Sequence, residues 1–249
     1  LGTLFFLIPY NFLMYGINDV FDYESDLRNP RKGGIEGALL DPKYHKTTIW
    51  SSIGFAAVFV VYLLFVGSDA ADFWLLITLI AVLAYSVPKL RFKERPFLDS
   101  FTSAVHFVGP MVYGLVLAGS TIADPKVIAV IAAFMGWGMA SHAFGAVQDV
   151  RADREAGIKS VATQIGARNT VRFAFALYLL SALVIMTIGW HGVVASLAVL
   201  PYLLIISPYL NITDQDCERA NGGWKRFIWL NFFAGALISL VVINYFQAG

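Results

Sequence analysis

Long apolar runs alternate with short polar stretches along the whole chain. A helix that crosses a bilayer needs roughly 20 apolar residues. Eight runs of about this length lie near 1–20, 48–67, 71–88, 97–119, 126–148, 170–190, 192–209 and 226–246. Too few polar positions remain to cover such a core in water. The pattern therefore predicts an all-α, polytopic membrane protein in which eight transmembrane helices form a bundle.

Composition supports a membrane location. Of the 249 residues, 58% are hydrophobic and 14% are charged, whereas soluble domains carry about 25% charged residues. The net charge of +1 provides no basic field that would attract nucleic acid. The single cysteine, Cys217, excludes an internal disulfide framework and a cysteine-rich metal site.

Basic residues are distributed unevenly between the two ends of the predicted helices. Seventeen of the eighteen Lys and Arg residues fall near 21–47, 89–96, 149–172 and 210–226, and only Lys126 falls in the alternate loops. Cytoplasmic loops of membrane proteins carry such an excess of basic residues. We therefore expect a multi-pass protein of the cell membrane whose four long loops, and the chemistry they carry, face the cytoplasm.

The first acidic motif closes the first apolar run with the sequence NDVFDYESD, residues 18–26. If this segment is helical, Asn18, Asp22 and Asp26 share one face, and Asp19 lies beside it. Carboxylates this close repel one another unless a cation lies between them. Mg²⁺ prefers a few carboxylates together with phosphate oxygens and water. Taken alone, the motif is also compatible with a solvated acidic loop.

A second acidic motif favours the metal interpretation. Asp149 and Asp153 follow the fifth run and repeat the spacing of Asp22 and Asp26. Carboxylates near a membrane surface are costly unless they are paired or bind a metal. Two matching motifs at the same ends of two helices predict two metal centres that hold one diphosphate.

A third motif, YSVPK, spans Tyr85 to Lys89 at the end of the third run, and Arg91, Lys93 and Arg95 follow it. Lysine can bind a phosphate as a point charge, and arginine can bind it through two hydrogen bonds. For Arg91, Lys93 and Arg95 the preferred interpretation is that they only anchor a cytoplasmic loop. Arg91 nevertheless stays a candidate for substrate binding.

These three motifs, in this order, resemble the UbiA superfamily of intramembrane prenyltransferases. The resemblance rests on N-D-x-x-D-x-x-x-D at residues 18–26, Y-x-x-x-K at 85–89 and D-x-x-x-D at 149–153. It implies a single transmembrane prenyltransferase domain over residues 1–249, with the first of nine family helices absent before Leu1. It also implies that Mg²⁺ is the cofactor, and that an allylic prenyl diphosphate and a lipophilic acceptor from the bilayer are the partners.

The resemblance also implies roles for individual residues. The five aspartates, Asp19, Asp22, Asp26, Asp149 and Asp153, would be metal ligands and catalytic residues. Lys89 would be catalytic and would bind the diphosphate together with Asn18, Tyr85 and Arg91. The sequences around the motifs, among them NPRKGG at 29–34, PKLRFKERP at 88–96 and NITD at 211–214, are most similar to the bacterial lycopene elongases of C50 carotenoid synthesis. That group uses dimethylallyl diphosphate and lycopene.

Other functions remain open at the level of sequence. The motifs do not separate lycopene elongation from prenylation of an aromatic quinone precursor. A cation transporter could also use intramembrane carboxylates, but it would place them near the middle of the membrane. A lipid head-group transferase is disfavoured because Tyr23, and not glycine, follows Asp22. His106 and His142 lie within predicted helices, where we expect neutral histidines that hydrogen-bond between helices.

Overall fold

The structure is a computed structural model, which describes residues 1–27 and 39–248. Within these residues the chain forms helices joined by turns and short 3₁₀ segments. The α-helices are α1 Gly2–Leu7, α2 Pro9–Phe21, α3 Tyr23–Asp26, α4 His45–Val66, α5 Asp69–Ser86, α6 Leu98–Leu117, α7 Pro125–Val147, α8 Val150–Glu155, α9 Val161–Met186, α10 Trp190–Ser196, α11 Leu200–Ile206 and α12 Asn221–Ala248.

The predicted membrane helices correspond to helices in the structure. Seven segments of the described chain are long and apolar enough to cross a membrane, and an eighth is added if the bent pair Cys217–Phe227 and Trp229–Tyr245 is one span. The seven are Gly2–Phe21, Pro42–Val66, Asp69–Ser86, Leu98–Leu117, Pro125–Val147, Val161–Met186 and Trp190–Tyr209. The all-α, polytopic architecture is thereby confirmed.

Helix α9 begins nine residues before the predicted start of the sixth span at 170. Ser160 caps it, because the Ser160 hydroxyl accepts a hydrogen bond from the Thr163 N–H and the Thr163 hydroxyl accepts one from the Ser160 N–H. The first turns of α9 are polar and include Arg168, so a search for apolar runs does not detect where this helix begins. The expectation that Arg168 and Arg172 lie in a loop was therefore wrong, because both lie in α9.

Two spans are interrupted where proline removes a backbone donor. The first span breaks at Ile8, directly before Pro9. The seventh passes from α10 to α11 through a 3₁₀ turn, and it ends in another 3₁₀ turn that contains Pro208. Proline cannot donate the backbone hydrogen bond of a helix interior, so it favours the start of a new helical segment.

The chain divides into two compact units. The first unit comprises residues 1–93 and 109–120. Its apolar core includes Phe5 and Tyr10 from the first span, Leu63 from α4, Leu75 from α5 and Tyr113 from α6. Helices α2 and α4 approach closely at Gly16, where a Cβ would lie 3.1 Å from the Thr48 side chain.

The second unit comprises residues 94–108 and 121–249. Its apolar core is formed mainly by α7, α9, α11 and α12, with Phe144, Tyr178, Tyr202 and Phe227 among the most buried side chains. Gly138 lets α7 approach α6, since a Cβ there would lie 2.9 Å from the Cβ of Ala104. That residues 1–249 act as one prenyltransferase domain stays a prediction.

Candidate active site

The first acidic motif lies at the carboxyl end of the first span. Helix α2 ends at Phe21, but the helical hydrogen bonds continue, from the Asp22 N–H to the Asn18 carbonyl at 2.9 Å and from the Asp26 N–H to the Asp22 carbonyl at 2.8 Å. Asn18, Asp22 and Asp26 are thus one turn apart on one face, as the spacing predicts. Asn18, Asp19 and Asp22 are half-buried and Asp26 is buried.

The basic segment after α5 turns back onto this motif. The turn contains two residues with left-handed backbone, Lys89 with a φ of 77° and Arg91 with a φ of 38°. It is closed by a hydrogen bond of 3.1 Å from the Arg91 N–H to the Val87 carbonyl. Such a conformation costs a residue with a side chain roughly 1–2 kcal/mol, so the surrounding contacts must stabilise it.

These contacts join the basic segment to the first motif. The Lys93 ammonium forms an ion pair with the Asp22 carboxylate and donates a hydrogen bond of 3.2 Å to Asn18 Oδ1. The Arg91 guanidinium lies 3.6 Å from Asp22 Oδ1 and donates to the Phe21 carbonyl at 3.4 Å. The cationic side chains therefore offset the negative charge of a half-buried carboxylate.

Lys93 was expected to be a solvated loop anchor, and that expectation was wrong. Its side chain is only 11% exposed and contacts the acidic motif. Lys89, the lysine that the Y-x-x-x-K motif favours, is exposed. The alternating basic residues of the sequence do not reveal the left-handed turn that brings Lys93 back to α2.

Ser86 is a site residue that the sequence did not indicate. Its buried hydroxyl donates a hydrogen bond of 2.9 Å to Asn18 Oδ1, the same atom that Lys93 contacts. Tyr85, which precedes Ser86 and was predicted to bind the diphosphate, is half-buried. The Asn18 side chain is thus held by α5, which fixes the start of the acidic motif. No pattern around Ser86 marks this role in the sequence.

The second acidic motif begins where α7 ends. Asp149 precedes α8, and the Asp153 N–H donates to the Asp149 carbonyl at 2.8 Å. Asp149 and Asp153 are half-buried. Arg151, which lies between them, and Arg154, which follows them, are exposed. The two carboxylates therefore share one face of a helical turn, which confirms the local geometry that the i, i+4 spacing predicts.

Arg154 and Asp214 hold the second motif against the kinked start of α9. Arg154 donates two hydrogen bonds to the Thr163 carbonyl, at 3.1 and 2.9 Å, and its Nη1 lies 2.5 Å from Asp214 Oδ2. Asp214 Oδ1 accepts a hydrogen bond of 2.7 Å from the Ala167 N–H. Gly166 has a left-handed φ of 80°, and a Cβ there would lie 3.2 Å from Asp214 Oδ1.

The Asp214 contacts also shift its titration. Partial burial by itself would raise the pKa of Asp214, but the Ala167 N–H and the Arg154 guanidinium outweigh it, so the pKa lies below its usual value. The carboxylate therefore stays charged at neutral pH and keeps Arg154 in place.

A second group of contacts supports the motif from the start of α12 and from the 3₁₀ turn before it, Cys217–Ala220. The Asn221 side-chain amide donates a hydrogen bond of 2.6 Å to Gln148 Oε1, and the Gln148 amide donates to the Gly145 carbonyl at 2.9 Å. Arg151 and Glu218 form an ion pair of 2.6 Å at the surface. Gln148 precedes Asp149, so these bonds fix the backbone from which the first carboxylate of the motif projects.

The donor set of both motifs fits a hard divalent cation. Each motif offers carboxylate oxygens one helical turn apart, without sulfur or imidazole ligands, which suits Mg²⁺ rather than zinc. Within the described residues, no group of three or more His, Cys, Asp and Glu side chains is arranged to hold a metal ion by itself. Mg²⁺ commonly binds only one or two carboxylates and completes its ligands with phosphate oxygens and water.

Comparison with curated proteins shows close relatives. The chain is 50% identical over 247 residues to a lycopene elongase/hydratase of Corynebacterium glutamicum, an alignment that covers 99% of this chain and 86% of the relative. It is 52% identical over 244 residues to the C(50) beta-cyclic carotenoids biosynthesis protein LbtBC of Dietzia sp., with 98% of this chain and 56% of that protein covered.

A solved structure shows the same fold. A UbiA homolog from Archaeoglobus fulgidus, bound to DMAPP and Mg²⁺, aligns with a TM-score of 0.64 at 17% identity, over 96% of this chain and 88% of that one. The model of the UbiA prenyltransferase family matches residues 1–242. The helices, the two acidic motifs and the relatives agree: the chain is a multi-pass membrane prenyltransferase and belongs to the UbiA prenyltransferase family.

Proposed function

We propose that this enzyme transfers a dimethylallyl group from dimethylallyl diphosphate to lycopene in an Mg²⁺-dependent reaction on the cytoplasmic side of the membrane. The observation that carries the proposal is 50% identity to a lycopene elongase/hydratase across 99% of the chain. The apolar helices suit an acceptor that arrives from the bilayer, and the acidic motifs suit a diphosphate donor.

In this proposal each acidic motif binds Mg²⁺ for the donor diphosphate, as the two sequence motifs predict. Mg²⁺ held by Asp19, Asp22, Asp26, Asp149 and Asp153 would neutralise the charge that develops on the leaving diphosphate. Lys93 and Arg91 supply cationic donors beside Asp22, and Ser86 keeps Asn18 oriented toward them. Lys89 and Tyr85 are further candidate donors. Charge stabilisation of this kind acts where the transition state needs it most.

The bond changes follow from the two substrates. The C–O bond to diphosphate breaks, its electron pair leaves with the diphosphate, and an allylic cation remains. The terminal C=C of the acceptor then supplies the electron pair of a new C–C bond, which leaves a tertiary cation on the acceptor. That cation either loses a proton to form a C=C bond or takes up water. Apolar surroundings protect both cations from bulk water.

The distribution of basic residues supports the proposed orientation. The motifs lie at helix ends, near two of the four segments (21–47, 89–96, 149–172 and 210–226) that hold seventeen of the eighteen basic residues. Such basic segments at the ends of membrane helices face the cytoplasm. A soluble diphosphate donor would reach the acidic motifs from that side.

Expression of the gene in cells that accumulate lycopene tests the proposal. We expect C45 and C50 pigments that are absent from cells carrying the Asp153→Ala variant, analysed by chromatography and mass spectrometry. Unchanged lycopene alongside a prenylated quinone precursor would instead assign the enzyme to aromatic prenylation. Unchanged pigment together with undetectable diphosphate release would refute the proposed reaction.

A further inference from the structure

The second unit contains a buried carboxylate that the proposed donor site does not use. Asp99 lies in the first turn of α6 and has no exposed surface. Its Oδ2 accepts a hydrogen bond of 2.7 Å from the Val161 N–H at the start of α9, whereas its Oδ1 is buried without a hydrogen-bond partner. A buried carboxylate oxygen without a partner is costly, so its position in the fold calls for an explanation.

His142 lies beside this carboxylate. Its Nε2 is 3.7 Å from Asp99 Oδ2, a distance that suits an ion pair once the ring is protonated but is long for a hydrogen bond. The His142 side chain is 21% exposed, whereas that of Asp99 is fully buried. Histidine is thus the open member of the pair, and aspartate is the member that orients and stabilises it.

His142 lies inward of the second motif along α7, next to the buried apolar residues Ala143 and Phe144. His142 precedes Asp149 by seven residues, which is two helical turns or about 10 Å along α7. If the second motif binds the diphosphate, the prenyl carbons extend away from that motif into the apolar region. His142 therefore lies on the side of the second motif toward which the prenyl carbons would extend.

A purely structural role explains only part of this arrangement. Asp99 helps to cap α9, because it accepts the Val161 N–H while Ser160 caps the Thr163 N–H. A neutral asparagine could accept the same hydrogen bond. The cap therefore requires neither the negative charge nor the histidine that faces it.

We infer that His142 accepts the proton released after C–C bond formation, and that Asp99 is its positioning residue. The inference rests on the proposed function. The electrons of a C–H bond next to the tertiary cation form the new C=C bond, and the proton moves to the imidazole nitrogen that does not face Asp99. Where water adds to the cation instead, the same nitrogen takes the proton of the added water. The Asp99 carboxylate stabilises the imidazolium until it releases the proton to solvent.

The test compares His142→Gln and Asp99→Asn with the wild-type enzyme. Purified proteins receive Mg²⁺, dimethylallyl diphosphate and lycopene, either unlabelled or deuterated at its terminal methyl groups. Three quantities are measured: diphosphate release, elongated product with its double-bond or hydroxyl position, and the deuterium isotope effect on product formation. His191→Gln, at the start of α10, is the matched control.

We expect elongated product to fall about a hundredfold in His142→Gln, the scale of general base catalysis. Diphosphate release should fall much less, since ionisation precedes proton loss, so the ratio of diphosphate to elongated product rises. The isotope effect should increase, and the product should become a mixture of double-bond isomers. Asp99→Asn should share these changes although it keeps an acceptor for the Val161 N–H.

Several outcomes would overturn the inference. If both variants keep the wild-type product rate, ratio of diphosphate to elongated product and isotope effect, His142 is not the base. The departing diphosphate would then take the proton. If Asp99→Asn lowers only the thermal stability and leaves the product ratios unchanged, Asp99 acts only as a helix cap. If His142→Gln does not fold, Asp99→Asn decides alone. If the wild-type enzyme releases diphosphate but does not elongate lycopene, the acceptor assignment fails, and the inference falls with it.

Discussion

The ammonium group of Lys93 pairs with the carboxylate of Asp22, 71 residues earlier in the chain. The contact joins the end of the first span to the segment after α5, within one compact unit. A lysine in this position stabilises the acidic motif, and in the proposed function it passes to a diphosphate oxygen when the donor binds.

Replacement of Lys93 by methionine should lower kcat/KM by roughly ten- to a thousandfold, the loss expected for one charged donor in a site that excludes water. Steady-state rates with dimethylallyl diphosphate and lycopene in detergent provide the measurement. The matched control is Arg95→Met, because Arg95 is an exposed residue of the same segment. Equal losses in both variants would show that the whole segment binds phosphate as one unit.

The Lys89→Met variant tests whether the phosphate donor is Lys93, as the structure indicates, or Lys89, as the Y-x-x-x-K motif favours. We expect a smaller loss than for Lys93→Met, because Lys89 is exposed whereas the Lys93 side chain contacts Asp22 and Asn18. The same rate assay decides. A silent Lys93 together with an inactive Lys89 would assign the phosphate donor to Lys89.

Metal dependence should follow from the acidic motifs. Asp22→Ala and Asp153→Ala should each lower turnover roughly a hundredfold or more, because a lost metal ligand removes several kcal/mol of transition-state stabilisation. EDTA should abolish wild-type activity, and added Mg²⁺ should restore it. The exposed Glu155→Gln serves as a control for acidic residues near the second motif. Normal turnover in EDTA would exclude the proposed metal chemistry.

Membrane orientation can be measured with single cysteines in a Cys217→Ala background. Cysteines at the exposed positions Lys43, Arg95, Lys159 and Glu218 should be protected from impermeant thiol reagents applied to intact cells. A cysteine at Lys126, in an alternate loop, should be labelled. Labelling at any of the four protected positions would reverse the orientation and move the acidic motifs to the outside.

Asp214 should contribute stability that depends on pH. Its folded pKa lies below the usual value of 3.8. Its stabilising effect is therefore fully present above the unfolded pKa and is lost as the pH falls through the folded pKa. Thermal unfolding in detergent should show a stability gap between wild type and Asp214→Asn that is constant near neutral pH and narrows in acid below about pH 4. The exposed Asp216→Asn is the control, and a gap that widens in acid would contradict the assignment.

The sequence by itself determined the membrane helices and the spacing within each acidic motif. Apolar runs of membrane length have few alternatives to helices, because backbone groups in lipid must form their hydrogen bonds within the segment. Once those helices exist, the i, i+4 spacing places Asp22 with Asp26, and Asp149 with Asp153, on one face. The helix starts at Pro9 and Pro201 follow a local preference of proline, whose missing N–H suits the first turn of a helix, although Pro110 lies inside α6.

Only the tertiary structure decided which distant groups surround these motifs. Lys93 reaches Asp22 through left-handed turns at Lys89 and Arg91, which no local preference of these residues predicts. The pairing of Asp99 with His142 and Val161 requires α6, α7 and α9 to pack together. Spacing along a helix is fixed by its repeat, whereas contacts between helices depend on packing across the whole chain, and the sequence pattern does not contain that information.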